Sequence, residues 1–342
     1  MKKIFIRSPY FIEVNEVGQT SAKIEVFLWN KGDTEPTTPN YTFTKSIPSP
    51  TQTKLSWNVS NLAQSFIKPI APVIVSVPTE ENVNTWCYMR VASYSDDELI
   101  EEEDFVCLNG YTNYSGGYNQ FNEDVVIGLS GNQKIYYNTI SGYYLNVWID
   151  TSDEFDTIAE WYNGSTLMDS DIIVSTGEDP NMFKVPIITN TTELRIIQED
   201  TRKTVFFEQL CEPKYTPIVC TFINRYGGWQ YLTFFKANQQ GIEVKSKDYN
   251  LLPSSIDYNP LQGIKQRFNF QGTQKVKCNT GWVDENYSEL IQDLLLSQVV
   301  LLDNKPAIVK SQSADIKTHL KDKNINYEVE FEYNYGLIND VI

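Results

Sequence analysis

The sequence contains very few of the residues that most catalytic sites require. A Ser–His–Asp triad would have to use the single histidine, His319. That residue lies in the polar segment KTHLKD, which lacks the strand–turn–helix pattern that presents a catalytic serine. One histidine and dispersed cysteines also fall short of a zinc site, and no glycine-rich phosphate loop precedes a helix. We therefore predict a non-enzymatic protein with no catalytic, cofactor-binding or metal-binding residues.

Long apolar runs are missing as well. No stretch approaches the roughly 20 apolar residues that span a bilayer. The chain starts with MKKIFIRSPYF, but Arg7, Pro9 and Glu13 interrupt any apolar core, and no signal-peptide cleavage site follows. No cysteine near the start could carry a lipid. These features predict a soluble protein that has no membrane partner and is made without an export signal.

Positive charge is scarce. The 28 lysines and arginines face 44 acidic residues, so the net charge is −16. Proteins that bind nucleic acid or anionic membranes need basic clusters to neutralise phosphates, and these are missing. We expect no sequence-specific nucleic-acid partner. An acidic surface could still line a channel through which DNA slides without sticking.

The five cysteines occur singly, with no C-x-x-C spacing. Apolar neighbours flank Cys87 and Cys107, which favours buried, reduced thiols. A Cys87–Cys107 or a Cys211–Cys220 bridge is the less favoured alternative.

Residues 1–108 predict a β-sandwich. About seven short strands in about 100 residues are typical of immunoglobulin- and fibronectin-like domains. At 22–29 the apolar residues Ile24, Val26 and Leu28 alternate with other side chains, as in a strand with one buried face. A short helix at 61–67 could be capped by Ser60. The other predicted strands cover residues 3–6, 41–45, 54–59, 72–77, 85–93 and 105–108.

Residues 109–211 predict a second β-sandwich of similar size, without a convincing sequence repeat. In the segment 143–148 one face would carry Tyr143, Leu145 and Val147, and the other would carry Tyr144, Asn146 and Trp148. The predicted strands cover residues 125–129, 134–138, 143–150, 157–162, 171–175, 183–188 and 193–198.

Residues 212–342 differ in kind and predict an α+β domain. It opens with a hairpin at 217–235, in which Gly227 and Gly228 would supply the positive φ of a tight turn. Apolar residues at helical spacing then predict one long amphipathic helix that packs on a sheet: Tyr287, Leu290, Ile291, Leu294 and Leu295, with Asp284 as N-cap and Glu289, Gln292 and Asp293 facing solvent. Strands are expected at 241–247, 265–270, 275–279, 299–302, 307–310 and 326–332. The last of these would have an acidic outer face.

Two groups of acidic residues could be functional. The first group comprises the acidic residues within 96–104, whose carboxylates could bind calcium. Their spacing fits no calcium-binding loop, so a solvated loop or a charged edge strand is the favoured interpretation. The second group, Asp150, Asp153, Glu154 and Asp156, could contain the carboxylate pair of a glycosidase. A polar turn between strands is the favoured interpretation.

Several aromatic residues could stack on sugars, or could instead belong to cores and interfaces. They are Tyr111, Tyr114, Tyr118, Tyr143, Tyr144 and Trp148.

Four motifs carry a resemblance in the last third of the chain: TFINRYGGW at 221–229, NTGW at 279–282, LLLS at 294–297 and NYEVEF at 326–331. CLNGY at 107–111 fits the same pattern. Together they resemble virion structural proteins of bacteriophages that infect Bacteroidetes, including the crAss-like group. The motifs are structural, and the resemblance implies no active site.

The resemblance implies a component of the phage tail or neck, of ring, collar or hub-associated type, that is synthesised in the host cytoplasm. Its partners would be further copies of itself and other tail or neck proteins around the tail axis, with a DNA channel as a neighbour. Modular β-domains suit this role, because heterologous interfaces can close into rings. The alternatives are a carbohydrate-binding β-sandwich protein at a cell surface and a polysaccharide-degrading enzyme that uses the acids near Asp153.

Overall fold

The protein is mainly β, as the sequence predicts. The computed structural model describes residues 1–47, 53–72, 75–80, 85–117, 119, 125–129, 134–137, 143–150, 155–174, 181–209, 214–252, 261, 264–283, 285–311 and 325–338. These ranges contain 23 strands and two α-helices. The strands of the first half are β1 (Lys2–Phe5), β2 (Phe11–Val14), β3 (Ser21–Trp29), β4 (Tyr41–Ser46), β5 (Leu55–Asn58), β6 (Thr79–Glu80), β7 (Trp86–Ser95), β8 (Glu98–Leu108), β9 (Val125–Ile127), β10 (Lys134–Tyr137), β11 (Tyr144–Ile149), β12 (Thr157–Asn163) and β13 (Thr166–Val174).

The remaining strands include the two longest. They are β14 (Asn181–Pro186), β15 (Glu193–Gln198), β16 (Thr201–Gln209), β17 (Ile218–Ile223), β18 (Trp229–Phe234), β19 (Gln239–Asn250), β20 (Lys265–Val283), β21 (Val300–Leu302), β22 (Lys305–Val309) and β23 (Ile325–Tyr333). The helices are α1 (Ser60–Phe66) and α2 (Tyr287–Leu296), and a 3₁₀ turn covers Tyr114–Gly116.

The chain forms two compact units, each built from several segments. The first unit consists of Met1–Cys211, Phe222–Leu232 and Asn286–Gln298. The second consists of Glu212–Thr221, Thr233–Glu285 and Val299–Ile342. The turn of the hairpin β17–β18 and the helix α2 therefore belong to the first unit.

Two five-stranded sheets in the first unit share one topology. One has the order β1-β8-β7-β3-β4, and the other has the order β10-β16-β15-β12-β13. In each sheet the first strand, β1 or β10, runs parallel to its neighbour, β8 or β16, which is the last strand of that sheet in the sequence. All the other neighbouring strands are antiparallel. The repeat is thus visible in the topology although the sequence shows none.

One hydrophobic core contains residues of the first of these sheets, of the two-stranded sheet β2-β5 and of helix α1. Ala22, Ile24, Val26 and Leu28 of β3 are buried, which confirms the predicted alternation. The predicted cap is wrong, because Ser60 is the first residue of α1 and donates its hydroxyl to Asn58 Oδ1 at 2.8 Å. The described residues of the predicted strand 72–77 form no strand.

The second five-stranded sheet lies with the sheet β6-β14-β11-β9 around another core. Every residue of β11 is buried, so both of the predicted faces of this strand pack in the interior. Leu145 and Val147 enter this core, whereas Trp148 joins a separate cluster, 5.5 Å from Trp86 in an edge-to-face contact.

The second unit is organised around a sheet with the order β18-β17-β21-β22-β23-β20-β19. Tyr327, Val329 and Phe331 of β23 are buried, which confirms its predicted inner face. Its outer glutamates are paired with lysines on β20 or just after β22: Glu328 with Lys277 at 2.6 Å, Glu330 with Lys275 at 3.8 Å and Glu332 with Lys310 at 3.1 Å. Residues 265–270 and 275–279, predicted as two strands, are parts of the single strand β20.

Helix α2 has ten residues, of which Tyr287, Leu290, Ile291 and Leu294 are buried. Asp293 was expected to face solvent, and this is wrong, because its side chain is fully buried. Its partners lie outside the helix and are the basis of the candidate site.

Candidate functional site

Two of the sequence motifs meet in the first unit. The backbone N–H of Tyr111 donates to the carbonyl of Arg225 at 2.8 Å. A Cβ on Gly110 would lie 2.1 Å from Arg225 O and 2.5 Å from Phe5 Cδ1, so only glycine fits there. Residues 107–111 (CLNGY) and 224–229 (NRYGGW) thus contact each other, and we call this contact the glycine junction.

The hairpin turn uses its two glycines for different reasons. Gly227 has a φ of +81°, and a Cβ there would also approach Asn109 N to 2.8 Å. Gly228 has no positive φ, so the predicted dihedral role is wrong for it. Instead, a Cβ on Gly228 would lie 2.8 Å from Asn146 Cβ, which makes close packing the reason for glycine.

Asp293 joins helix α2 to the glycine junction. Its carboxylate accepts the backbone N–H of Arg225 at 3.0 Å and the Nε–H of Arg225 at 3.1 Å. The hydroxyl of Tyr111 donates to Oδ1 at 2.6 Å. The side chain of Asp293 is fully buried and that of Arg225 is 18% exposed, so this is a largely desolvated ion pair.

The electrostatic environment keeps both partners of Asp293 protonated. Burial raises the pKa of Tyr111 far above its usual value, and the hydrogen bond to Asp293 adds to the increase. Burial lowers the pKa of Arg225, but the hydrogen bond and charge of Asp293 outweigh it, so the net shift is upward. A carboxylate held in this way positions chain segments and is not available as a general base.

A fourth segment reaches the same cluster from the amino terminus. The guanidinium of Arg7 lies 5.0 Å from the ring centre of Tyr111, and Nη2 donates to the carbonyl of Leu296 at 2.6 Å. The carbonyl groups at the end of a helix have no partner within the helix, so Arg7 caps α2. Nearby, Ser297 Oγ accepts the N–H of Ile223 at 3.2 Å.

Buried amide side chains fix the backbone around the junction. Asn224 donates to Gly128 O at 2.7 Å and to Gln230 Oε1 at 2.9 Å, and its Oδ1 accepts the N–H of Tyr226 at 3.0 Å. Asn146 Oδ1 accepts the N–H of Trp229 at 2.8 Å. Because such buried networks are costly unless satisfied, they define one arrangement of these loops.

Of the residues that sequence reasoning proposed for other chemistry, Tyr111 belongs to this cluster, where its hydroxyl donates to Asp293. Asp150 pairs with Lys3 at 2.5 Å, and Asp153, Glu154 and His319 lie outside the described residues. Tyr144 and Trp148 are 0% and 2% exposed, so neither ring can stack on a sugar in this structure. Of the other aromatic candidates, Tyr114 is fully exposed, Tyr143 is half-buried, and Tyr118 lies outside the described residues.

The acidic segment 96–104 is a turn followed by the first half of β8. Asp96 and Asp97 have φ values of 46° and 69° and form the tip of the hairpin β7–β8. Asp96 accepts the N–H groups of Thr20 and Ser21 at 3.0 and 2.8 Å, and also both hydroxyls. The hydroxyl and N–H of Thr20, followed by the N–H of Ser21, lower the pKa of Asp96 to about 2. An open pocket of about 480 Å³ adjoins this turn, between 16–19 and 95–100.

The four described cysteines are free, buried thiols: Cys87, Cys107, Cys220 and Cys278. Cys87 and Cys107 face each other on β7 and β8 inside the first core and are not bridged. Burial raises the pKa of Cys107 and of Cys220 well above the usual range and that of Cys278 to about 12. Cys211 lies outside the described residues.

An exposed two-stranded arm distinguishes the second unit. We define the arm as residues 245–250 of β19 and 265–271 of β20, which pair with each other beyond the end of the β20–β23 pairing at Lys275. Apolar side chains lie exposed on it and at its outer end: Tyr249 (46%), Leu251 (42%), Ile264 (57%), Phe268 (46%) and Phe270 (42%). Asn269, with a φ of 52°, forms a bulge opposite Ser246.

No group of three or more His, Cys, Asp or Glu side chains that could hold a metal ion occurs among the described residues. None of the helices in the described ranges is long and apolar enough to cross a membrane.

Comparison with known proteins gives no family assignment. No protein-family model matches the chain, and no curated protein sequence matches it significantly.

Proposed function

We propose that this protein is a non-enzymatic structural component of a bacteriophage virion. It belongs to the tail or neck, as a ring, collar or hub-associated layer, and assembles with copies of itself and with other tail or neck proteins around the tail axis. It is synthesised in the host cytoplasm, and a DNA channel is a neighbour of the assembly and not a sequence-specific ligand.

The observation that carries this proposal is the exposed arm. The arm is a two-stranded pair beyond the end of the β20–β23 pairing, and two-stranded hairpins alone are only marginally stable in water. It also leaves aromatic and aliphatic side chains in solvent. Exposed apolar patches of this kind mark interaction sites. An assembly partner would cover the arm and stabilise it.

The glycine junction supports the same function. Its buried ion pair, helix cap and amide network hold four chain segments in one arrangement. Such rigidity suits a subunit that repeats an interface around an axis, because each copy must present the same surfaces.

The fold proposed with this function is two immunoglobulin-like sandwiches, at 1–108 and 109–211, followed by an α+β domain at 212–342. The shared order of the two five-stranded sheets supports the first part. The order β8-β7-β3-β4 is the one that the G, F, C and C′ strands of a variable-type domain would have, and this likeness supports the proposal.

The experiment is the native mass of the purified protein by sedimentation velocity, with negative-stain imaging. We expect a discrete oligomer or closed rings. Copurification with the purified tail and neck proteins of the same phage extends the test to assemblies that need the tail as a template. A strict monomer that binds none of these proteins would overturn the proposal.

A further inference from the structure

The arm is basic in an acidic protein. Its residues 245–250 and 265–271 contain four cationic side chains and one acidic side chain, so its net charge is +3. Since the whole chain carries −16, the remaining residues carry −16 − 3 = −19. Lys245 and Lys247 lie on β19, which is an edge strand of its sheet. Both side chains are exposed, with Lys245 Nζ 3.7 Å from Glu243 Oε1 of the same strand, so both are accessible to a partner at that edge.

The first unit has a strand edge of the opposite charge. Strand β8 pairs with β1 only over Phe105–Leu108, so residues 98–104 have no neighbouring strand on that side within the described part of the chain. We call these residues the acidic edge. Glu98, Glu101 and Glu102 are exposed there and form no ion pair with any described residue.

Apolar side chains lie within the acidic edge. Leu99 is 49% exposed and Ile100 is 41% exposed. The register shifts between Ser93 and Tyr94, so Ile100 has no cross-strand partner on β7. The acidic edge thus offers both of the features that the arm would require: negative charge and an apolar contact.

We infer that the arm of one copy docks along the acidic edge of a second copy of this chain. Lys245 and Lys247 would face the glutamates, and the aromatic side chains of the arm would pack on Leu99 and Ile100. This inference rests on the proposed function and assigns the surfaces through which the copies associate.

Charge selects this arrangement over its alternatives. Two arms side by side would oppose lysines to lysines, and two acidic edges would oppose glutamates to glutamates. Like charges across an interface cost several kcal/mol, so symmetric pairing of either surface is disfavoured. An arm-to-edge contact joins two different surfaces, and such heterologous contacts build rings or filaments.

The lengths of the two surfaces also match. The β19 side of the arm covers residues 245–250, and the free part of β8 covers residues 98–104. At about 3.4 Å per residue, the two are roughly 20 and 24 Å long.

A charge swap tests the inference in the full chain. The arm variant is Lys245→Glu with Lys247→Glu, and the edge variant is Glu101→Lys with Glu102→Lys. We expect each variant to raise the dissociation constant of the oligomer about 100-fold in sedimentation velocity. The variant that combines all four changes should recover most of the affinity, because the opposite charges face each other again.

The control reverses two exposed lysines that belong to neither surface, Lys68→Glu with Lys214→Glu, and should leave association unchanged. Recovery in the combined variant also excludes misfolding as the cause of the losses. If the natural protein assembles and the arm and edge variants assemble equally well, the inference is overturned and the proposed function stands. A natural protein that is monomeric at tens of micromolar overturns the inference as well, and copurification with tail proteins then decides the proposed function separately.

Discussion

Removal of the Asp293 carboxylate should destabilise the first unit more than any other single charge removal on α2. In Asp293→Ala the guanidinium and N–H of Arg225 and the hydroxyl of Tyr111 lose their acceptor inside the protein. Breaking a buried ion pair from one side costs about 3–5 kcal/mol. Because Arg225 retains 18% exposure and some hydration, we expect a value near the lower limit, about 3 kcal/mol.

That loss is measurable by urea unfolding with tryptophan fluorescence. Six of the seven tryptophans belong to the first unit, so the signal reports mainly on the unit that contains Asp293. With an m-value of about 2 kcal/mol/M, the midpoint should fall by about 1.5 M. The matched control is Glu289→Gln on the same helix. Glu289 is 58% exposed and 3.8 Å from Arg225, and its loss should cost less than about 0.5 kcal/mol.

A double-mutant cycle separates the ion pair from general damage. Arg225→Ala and Asp293→Ala together should cost less than the sum of the single changes, with a coupling free energy of about 2 kcal/mol. A coupling near zero, or an Asp293→Ala protein within about 0.5 kcal/mol of the natural one, would refute the role given to this cluster.

Three further predictions concern the glycine junction, the Asp96 turn and the thiols. Gly110→Ala places a Cβ 2.1 Å from Arg225 O and should lower the free energy of unfolding in urea by about 3 kcal/mol. In the control Gly241→Ala the new Cβ meets nothing within 4 Å, so the free energy of unfolding should hardly change. Equal effects of the two substitutions would contradict the close contact at Gly110. Asp96 has a folded pKa of about 2, below its unfolded value, so its contribution to stability is present at neutral pH and is lost as the pH falls from about 4 to 2. Asp96→Asn should therefore lower the melting temperature at pH 7 and have only a small effect near pH 2, and a deficit that does not depend on pH would argue against the carboxylate. In the native protein the four buried cysteines should resist a thiol reagent and react after denaturation, so more than one rapidly labelled thiol would contradict their burial.

The sequence predicted the strands in which the alternation of apolar residues reflects one buried face. The alternation in β3 and β23 arises from a single buried face, and both strands have the predicted inner residues. In β11 the alternation predicted the strand but not its burial, because Tyr144 and Trp148 are amphipathic side chains that also pack in the interior. Strand β16 was missed, since its mixed residues TRKTVFFEQ show no clean period.

The candidate site was beyond the reach of local patterns. On the helix, Asp293 lies at the border of the apolar stripe, where a charged residue normally faces solvent. Its partners Tyr111 and Arg225 are distant in sequence, and no periodicity reveals such a contact. The glycine motifs were visible, but their pairing depends on the tertiary fold. The arm was seen only as two short strands, because Gly272 and its polar neighbours interrupt the apolar pattern of β20.

Hydrogen exchange of the natural protein, measured at low and high concentration, tests the central claim most directly. Docking of the arm on the acidic edge should slow exchange in residues 245–250 and 98–104 as the oligomer forms, with little change in the buried strand β11. Slower exchange elsewhere, with these two edges unchanged in the assembled protein, would contradict the account.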